Sequence, residues 1–263
     1  MNEHERWISL EGAVNVRDLG GLPTDDGGTT RSGRILRADN LQGLTPTDVD
    51  LLVGTLKLRH VVDLRSIAEV RLEGPGPLAD MPEIAHHHHT LFAEGGQFTD
   101  VDADTIDERA LPWANGRGED RELRVTGYYY GYLRDRPDSV LASLRALAHD
   151  DGLAVVHCAA GKDRTGVVCA LAQAVAGVTR EAIVDDYVLT GERIAAILER
   201  LRASETYRVD LDSKPPDHHV PRPEYMNRFL LTLEERFDGP LGWLAAQGWT
   251  EADTGALRAR LRD

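Results

Sequence analysis

The sequence predicts an α/β protein, because short apolar runs of strand character are followed by segments of helical character. The strand-like run 60–64 precedes a helix at 67–72, and the run 153–156 precedes a tight loop and the apolar run 167–176. Alternation of this kind is typical of a parallel or mixed sheet with helices on its faces. The chain has 263 residues, 41% of them hydrophobic. It is therefore expected to form a single domain with a sizeable core.

The amino-terminal part, residues 1–45, is rich in glycine and short β-like pieces, so we expect a β-rich edge before the main sheet. Thr45 followed by Pro46 predicts the start of a helix, since Thr is a good cap and Pro suits the first helical position. Ser66 is expected to cap the helix 67–72 for the same reason.

Residues 84–92 predict another strand, and it contains the four consecutive residues His86 to His89. Successive side chains of a strand point to opposite faces, so at most two of the four can converge on one ion. The sequence identifies no third ligand. We therefore favour a polar strand near the edge of the sheet and expect no metal.

Residues 93–120 form a long acidic connection with few apolar positions. Such a connection is typical of a lid, a binding loop or disorder, and we expect a lid. Helices are predicted at 122–134 and 137–148, with the tyrosines 128–130 used for packing. The part 180–263 is expected to be helical except for an irregular, proline-rich stretch.

That irregular stretch covers 210–222, where three prolines occur, and Pro223 follows directly. Of the two cysteines, Cys169 falls on the apolar helix 165–176 and is expected to be buried there. The alternative is a resolving thiol for an oxidised Cys158. Two cysteines are too few for a disulfide framework or a thiolate zinc site.

The formal net charge of −14 argues against nucleic-acid binding and against stable association with anionic membranes. No apolar run approaches the length of a membrane span. The first ten residues lack the apolar core of a secretory signal. We expect a cytoplasmic protein, with export without a cleaved signal left open, and the oligomeric state is undetermined.

The most informative stretch is 157–166, with the sequence HCAAGKDRTG. It lies between a strand and a helix start, so loop amides and the helix dipole are expected to form an anion site. A cysteine in such a site is stabilised as a thiolate, which makes Cys158 a candidate nucleophile. Arg164 can offer a planar fork to two phosphate or sulfate oxygens.

This set of groups suits cleavage of a phosphate monoester through a thiol, without a metal or other cofactor. The Thr165 hydroxyl can donate a hydrogen bond to the Cys158 thiolate, both before the thiolate attacks and when it leaves the phosphorus. The residues expected to bind the phosphate oxygens through their amides are Ala159, Ala160, Gly161 and Lys162.

The stretch 157–166 resembles the signature of the Cys-dependent protein tyrosine and dual-specificity phosphatases, and in particular the atypical bacterial tyrosine phosphatases. Four further segments resemble that family: 15–18, 33–37, 63–66 and 185–187. The resemblance covers about residues 15–190. It implies a central sheet flanked by helices, a lid over the site, a cysteinyl-phosphate intermediate and a phosphotyrosine protein as substrate.

Most of the superfamily carries its leaving-group acid in a separate Trp-Pro-Asp loop, which is missing from this sequence. The resemblance to the atypical group favours Asp163 instead. Asp63 at a strand end is the competing acid and otherwise a substrate-binding residue. The acids of 100–107 are less favoured than Asp163 or Asp63. Lys162, a second cation in the loop, resembles the inositol and lipid phosphatases, so a phosphoinositide is the alternative substrate.

Other classes fit less well. A Walker loop needs Gly, four residues and Gly-Lys-Ser/Thr, whereas Val156 occupies the first glycine position and Asp163 follows Lys162. A sulfurtransferase also uses a cysteine in an anion loop, but Arg164 followed by Thr165 favours phosphate. A non-catalytic phosphate-binding module typically lacks the cysteine or the arginine, and this chain has both.

Overall fold

The computed structural model describes residues 6–92, 128–212 and 219–262. Within these ranges a five-stranded sheet has the order β1-β2-β5-β3-β4. Its strands are β1 Arg17–Asp18, β2 Ile35–Ala38, β3 Leu58–Asp63, β4 Ala85–His88 and β5 Leu153–His157. β2, β5, β3 and β4 are parallel, and β1 is antiparallel to β2. The predicted α/β class with a mixed sheet is confirmed.

Helices account for most of the remaining described chain. The α-helices are α1 Pro46–Val49, α2 Ile67–Glu73, α3 Tyr128–Asp135, α4 Pro137–Leu147, α5 Asp163–Val175, α6 Arg180–Val188, α7 Ile194–Arg202, α8 Glu205–Asp212, α9 Pro223–Phe237, α10 Pro240–Ala246 and α11 Glu251–Leu261. A π-helical segment, Asp50–Thr55, continues α1, and a 3₁₀ segment, Leu189–Arg193, follows α6. None of the helices described here is long and apolar enough to cross a membrane.

The core lies on both faces of the central strand β5. Ala154 and Val156 pack into the larger cluster, which also contains the residues of α5, whereas Leu153 and Val155 pack into a second cluster on the other face. Every residue of β5 is buried. The loop that follows β5 is therefore attached to a strand that is buried on both faces.

The helix starts predicted at Thr45 and Ser66 are confirmed. The Thr45 side chain accepts a hydrogen bond from the Asp48 amide, and the Ser66 side chain accepts one from the Glu69 amide. Each forms a capping box, because the acid in turn accepts from the amide of the cap residue. In the second box this acid is Glu69, whose carboxylate is completely buried.

The structure corrects three expectations. β2 is an interior strand rather than part of an edge, because it is hydrogen-bonded on one side to β1 and on the other to β5. The predicted strand 84–92 is shorter, although it does form the edge of the sheet as β4. The stretch 210–222 starts within a helix, α8. The predicted lid, residues 93–120, lies outside the described residues.

Candidate active site

The loop 158–162 connects the carboxyl end of β5 to the first residue of α5, Asp163. It lies at the carboxyl edge of the parallel strands, where open α/β sheets hold their ligands. The Cys158 side chain is buried at the start of this loop, with 2% of its surface exposed. The sequence thus folds into the predicted strand, loop and helix start.

Gly161 gives the loop its tight path. Its φ is +65°, a conformation that other residues adopt with strain. A Cβ at this position would also lie 2.4 Å from the carbonyl oxygen of Ala38 and 2.8 Å from Asn15 Nδ2. Both the backbone angle and the close approach therefore require glycine.

The carbonyl groups of the loop are held by donors from the amino-terminal part. The three bonds run from the Asn40 amide to Ala159 O (2.8 Å), from Asn15 Nδ2 to Ala160 O (2.9 Å) and from Arg37 Nη2 to Gly161 O (2.8 Å). In a trans peptide the N–H points opposite to the preceding C=O. The amides of residues 160–162 therefore point away from these donors, and within the described chain they have no protein acceptor.

Behind this layer lies a buried charge cluster that explains several of the family-like segments. The Asp186 carboxylate accepts hydrogen bonds from Arg6, from Arg17 at 3.2 Å, from Arg37 at 2.7 Å and from Gln173 at 3.1 Å. Burial opposes ionisation of Asp186, but the three arginines hold its pKa far below the ordinary value. One carboxylate thus faces three guanidinium groups, and one of these, that of Arg37, also holds the loop through Gly161 O.

Arg164, in the first turn of α5, forms a two-bond ion pair that sequence reasoning missed. Its Nη1 and Nη2 donate to the two carboxylate oxygens of Glu69 at 2.6 and 2.9 Å, and the guanidinium lies 4.7 Å from the ring centre of Phe92. Burial would lower the pKa of Arg164, but Glu69 raises it well above the ordinary value. The spacing of Ser66 and Glu69 is typical of a capping box, so it indicates that Glu69 accepts from the Ser66 amide. It does not indicate that Glu69 also pairs with Arg164.

The Thr165 hydroxyl differs from expectation, and the Lys162 cation is buried. The Thr165 hydroxyl is buried and has no hydrogen-bond partner among the described residues, so the expected bond to the Cys158 sulfur is not formed in this structure. Lys162 is not a solvated charge, because only 9% of the residue is exposed. Its Nζ donates to His219 O at 2.9 Å and lies 3.6 Å from Asp163 Oδ1.

Asp163 is more exposed than its neighbours in the loop and is held by a tyrosine. The Tyr129 hydroxyl donates to Asp163 Oδ1 at 2.6 Å and lies 2.6 Å from the Tyr187 hydroxyl. Burial and then the Asp163 carboxylate raise the pKa of Tyr129 well above its ordinary value, so it remains a donor. The tyrosines at 128–130 were expected only to pack, and the sequence contains no local signal for this bond.

Asp63, the competing acid, is locked in an ion pair at the end of β3. Arg65 donates to it through Nε at 3.0 Å, through Nη2 at 2.6 Å and through the backbone amide at 3.0 Å. His157 Nε2 lies 3.7 Å away. Burial opposes ionisation, yet His157 and Arg65 together hold the pKa of Asp63 well below the ordinary value. Asp63 is therefore ionised at neutral pH.

Cys169, on α5, is completely buried as predicted. Burial is the main reason that the pKa of its thiol is raised to about 12. It is therefore a neutral thiol at physiological pH, which disfavours a role as a reactive partner of Cys158.

A cysteine and an arginine in an anion-binding loop at the carboxyl edge of a parallel sheet define a phosphate-handling site. Residues 8–263 match the model of the tyrosine phosphatase family, and the chain belongs to that family. It is 28% identical to the triple specificity protein phosphatase PtpB of Mycobacterium tuberculosis, over 96% of this chain and 98% of the relative. It is 31% identical to a tyrosine-protein phosphatase of Nostoc commune, over 86% of this chain and 73% of the relative. The predicted family and enzyme class are confirmed.

Proposed function

We propose that this tyrosine phosphatase hydrolyses phosphotyrosine in proteins through a cysteinyl-phosphate on Cys158. The thiolate attacks phosphorus, the bond between phosphorus and the tyrosyl oxygen breaks, and Asp163 gives its proton to the leaving oxygen. Water then attacks the thiophosphate, Asp163 takes a proton from that water, and the sulfur–phosphorus bond breaks. Phosphate leaves, and Cys158 is again a thiolate.

The observation that carries this proposal is the orientation of donors around the loop. The amides of residues 160–162 point away from the protein donors that hold the loop carbonyls. A guanidinium has five N–H groups. The bonds of Arg164 to Glu69 and to Leu64 O use both hydrogens of Nη1 and one of Nη2. The Nε–H and the second Nη2–H have no partner among the described residues and can act as a fork for two phosphate oxygens.

The electrostatic environment of Asp63 argues against Asp63 as the general acid, which leaves Asp163 as the preferred candidate. A general acid must hold a proton when the substrate binds, and the environment of Asp63 keeps that carboxyl ionised. Asp63 also has both carboxylate oxygens bonded to Arg65. Among the described residues, Tyr129 and Lys162 contact the Asp163 carboxylate through Oδ1, and the side chain is 38% exposed. Its second oxygen can therefore carry the proton to a leaving group.

The test of the nucleophile is Cys158→Ser, assayed in the steady state with p-nitrophenyl phosphate in the presence of EDTA. We expect turnover by the native chain and none above background by the variant, because a serine hydroxyl is a far weaker nucleophile than a thiolate. Retained turnover in the variant would refute Cys158 as the nucleophile. A native chain that binds phosphate without turnover would instead indicate the non-catalytic module.

Phosphoinositide hydrolysis by the same mechanism is the second candidate. The observation that favours it is Lys162, a buried cation whose Nζ lies beside Asp163 at the edge of the loop. A second phosphate of an inositol headgroup can replace His219 O as its partner. The relative named a triple specificity phosphatase is consistent with more than one substrate class.

A panel of a phosphotyrosine peptide, a phosphoserine peptide and phosphoinositides, all with EDTA, separates the two candidates. Lys162→Met is expected to raise the KM for phosphoinositides more than the KM for the phosphotyrosine peptide. Absence of phosphate release from every phosphoinositide would exclude the second candidate. The cytoplasmic location and the organisation as one domain with a lid remain predictions.

A further inference from the structure

A cluster of histidines and one aspartate lies beside the turn that leads into β5, whereas the catalytic loop follows the other end of that strand. His60 comes from β3, His87 from β4, and His149 and Asp151 from the turn between α4 and β5. The proposed phosphatase mechanism uses none of them. The sequence offered the run His86 to His89 as a source of metal ligands but no third partner, and the fold supplies partners from two other elements.

The geometry of the cluster is close to that of a metal site. His60 Nε2 lies 2.6 Å from Asp151 Oδ1, and the ring of His149 stacks on that of His60 with centres 4.8 Å apart. One ligand atom from each of these three residues lies within 4.8 Å of the other two. His60 is buried, whereas His149 and Asp151 are exposed.

The structure assigns a further function to this cluster: we propose that His60, His149 and Asp151 bind one Zn²⁺ ion. Two imidazoles and a carboxylate match the donor preference of zinc, with water completing the tetrahedron. Ligand atoms of a tetrahedral zinc site are separated by roughly 3.3 Å, given zinc–ligand distances of about 2.0–2.1 Å. Rotation of the exposed His149 and Asp151 side chains about the fixed His60 can reach that spacing.

His87 provides the support that such a ligand needs. Its Nε2 lies 3.1 Å from His60 Nδ1. A neutral His60 that binds zinc through Nε2 carries its single proton on Nδ1, and this Nδ1–H can donate to Nε2 of His87. A hydrogen bond of this kind fixes the tautomer and orientation of a ligating histidine. The ion would join β3 to the turn before β5 and so stabilise the folded state.

Zinc titration of the Cys158→Ser protein, freed of metal with EDTA that is then removed, tests the proposal. The serine variant removes the catalytic thiolate, which would otherwise compete for zinc. We expect one ion per chain by calorimetry and a higher Tm with zinc than without. His149→Ala and Asp151→Ala, each in the Cys158→Ser protein, should weaken binding by at least about tenfold. His87→Ala should weaken it by about tenfold through the lost support.

The matched control is His86→Ala in the same background. His86 is on the same strand, but its Nε2 is paired with Leu78 O at 2.9 Å outside the cluster. The control should bind zinc as tightly as its parent. Absence of saturable binding to the parent would overturn the proposal. Equal zinc affinity, or an equal rise in Tm, in the His149 and Asp151 variants would overturn it too, because the ion would then bind elsewhere.

Discussion

Arg164 and Glu69, 95 residues apart in the chain, face each other through two parallel hydrogen bonds of 2.6 and 2.9 Å. Both side chains are buried, and Glu69 has no exposed surface. The carboxylate also caps α2 through the Ser66 amide at 2.8 Å. The orientation of the Arg164 guanidinium is thus fixed by the helix that follows β3.

Glu69→Gln is expected to reduce both stability and phosphate affinity. Removing one charge of a buried pair leaves the other uncompensated, which costs about 3–5 kcal/mol. Urea unfolding measures the loss of stability, and the inhibition constant of inorganic phosphate reports whether the Arg164 fork is still aligned. The control is Glu234→Gln, because Glu234 pairs with Arg180 on the surface. This substitution should lower the free energy of unfolding by less than about 1 kcal/mol. An unchanged inhibition constant in Glu69→Gln would contradict the positioning role.

The two candidate acids are distinguished by Asp163→Asn and Asp63→Asn. A leaving group that is a poor anion needs protonation, so loss of the acid slows poor leaving groups far more than good ones. We expect Asp163→Asn to lose about 10²–10⁴-fold in kcat on aryl phosphates with poor leaving groups. The kcat values of the native protein and both variants over a series of substituted phenyl phosphates give the dependence of the rate on the leaving group. If Asp163→Asn follows the native dependence while Asp63→Asn departs from it, the assignment is reversed.

Tyr129→Phe tests the hydroxyl that holds the Asp163 carboxyl. A less well-oriented acid should lower kcat on poor leaving groups by about tenfold and shift the limb of the pH–rate profile that reports it. Tyr130→Phe, in the neighbouring position of α3, is the matched control, since the Tyr130 ring packs against Phe237. If the pH–rate profiles of Tyr129→Phe and Tyr130→Phe coincide, Tyr129 contributes packing only.

His157 is expected to make stability depend on pH. Burial, opposed in part by Asp63, lowers the pKa of His157 from 6.5 to about 4. Between these values the unfolded chain binds more protons than the folded one, so the free energy of unfolding should fall as the pH falls from about 6.5 to 4. One proton corresponds to about 1.4 kcal/mol per pH unit.

Chemical denaturation of the native protein and of His157→Gln across this range measures the effect. The slope of stability against pH should be smaller in the variant within the window, while both proteins behave alike above pH 7. His87, with a pKa also lowered to about 4, contributes equally to both proteins. Identical slopes within the window would show that His157 is not the group responsible.

The sequence by itself determined the local structure of this protein. Thr45 and Ser66 predicted helix starts, and 157–166 predicted the strand, loop and helix start, because caps and apolar periodicity act over a few neighbouring residues. The same stretch, together with the family-like segments, identified the tyrosine phosphatase family.

Only the tertiary structure decided which distant groups surround the loop. The strand order places β5 between β2 and β3. Arg37, from β2, therefore donates to the loop on one side, and Asp63, from β3, pairs with Arg65 on the other side. The partners of a buried charge depend on which elements pack together, and chain spacing does not encode this. For that reason Glu69, Tyr129 and the zinc cluster around His60 were not predictable from the sequence alone.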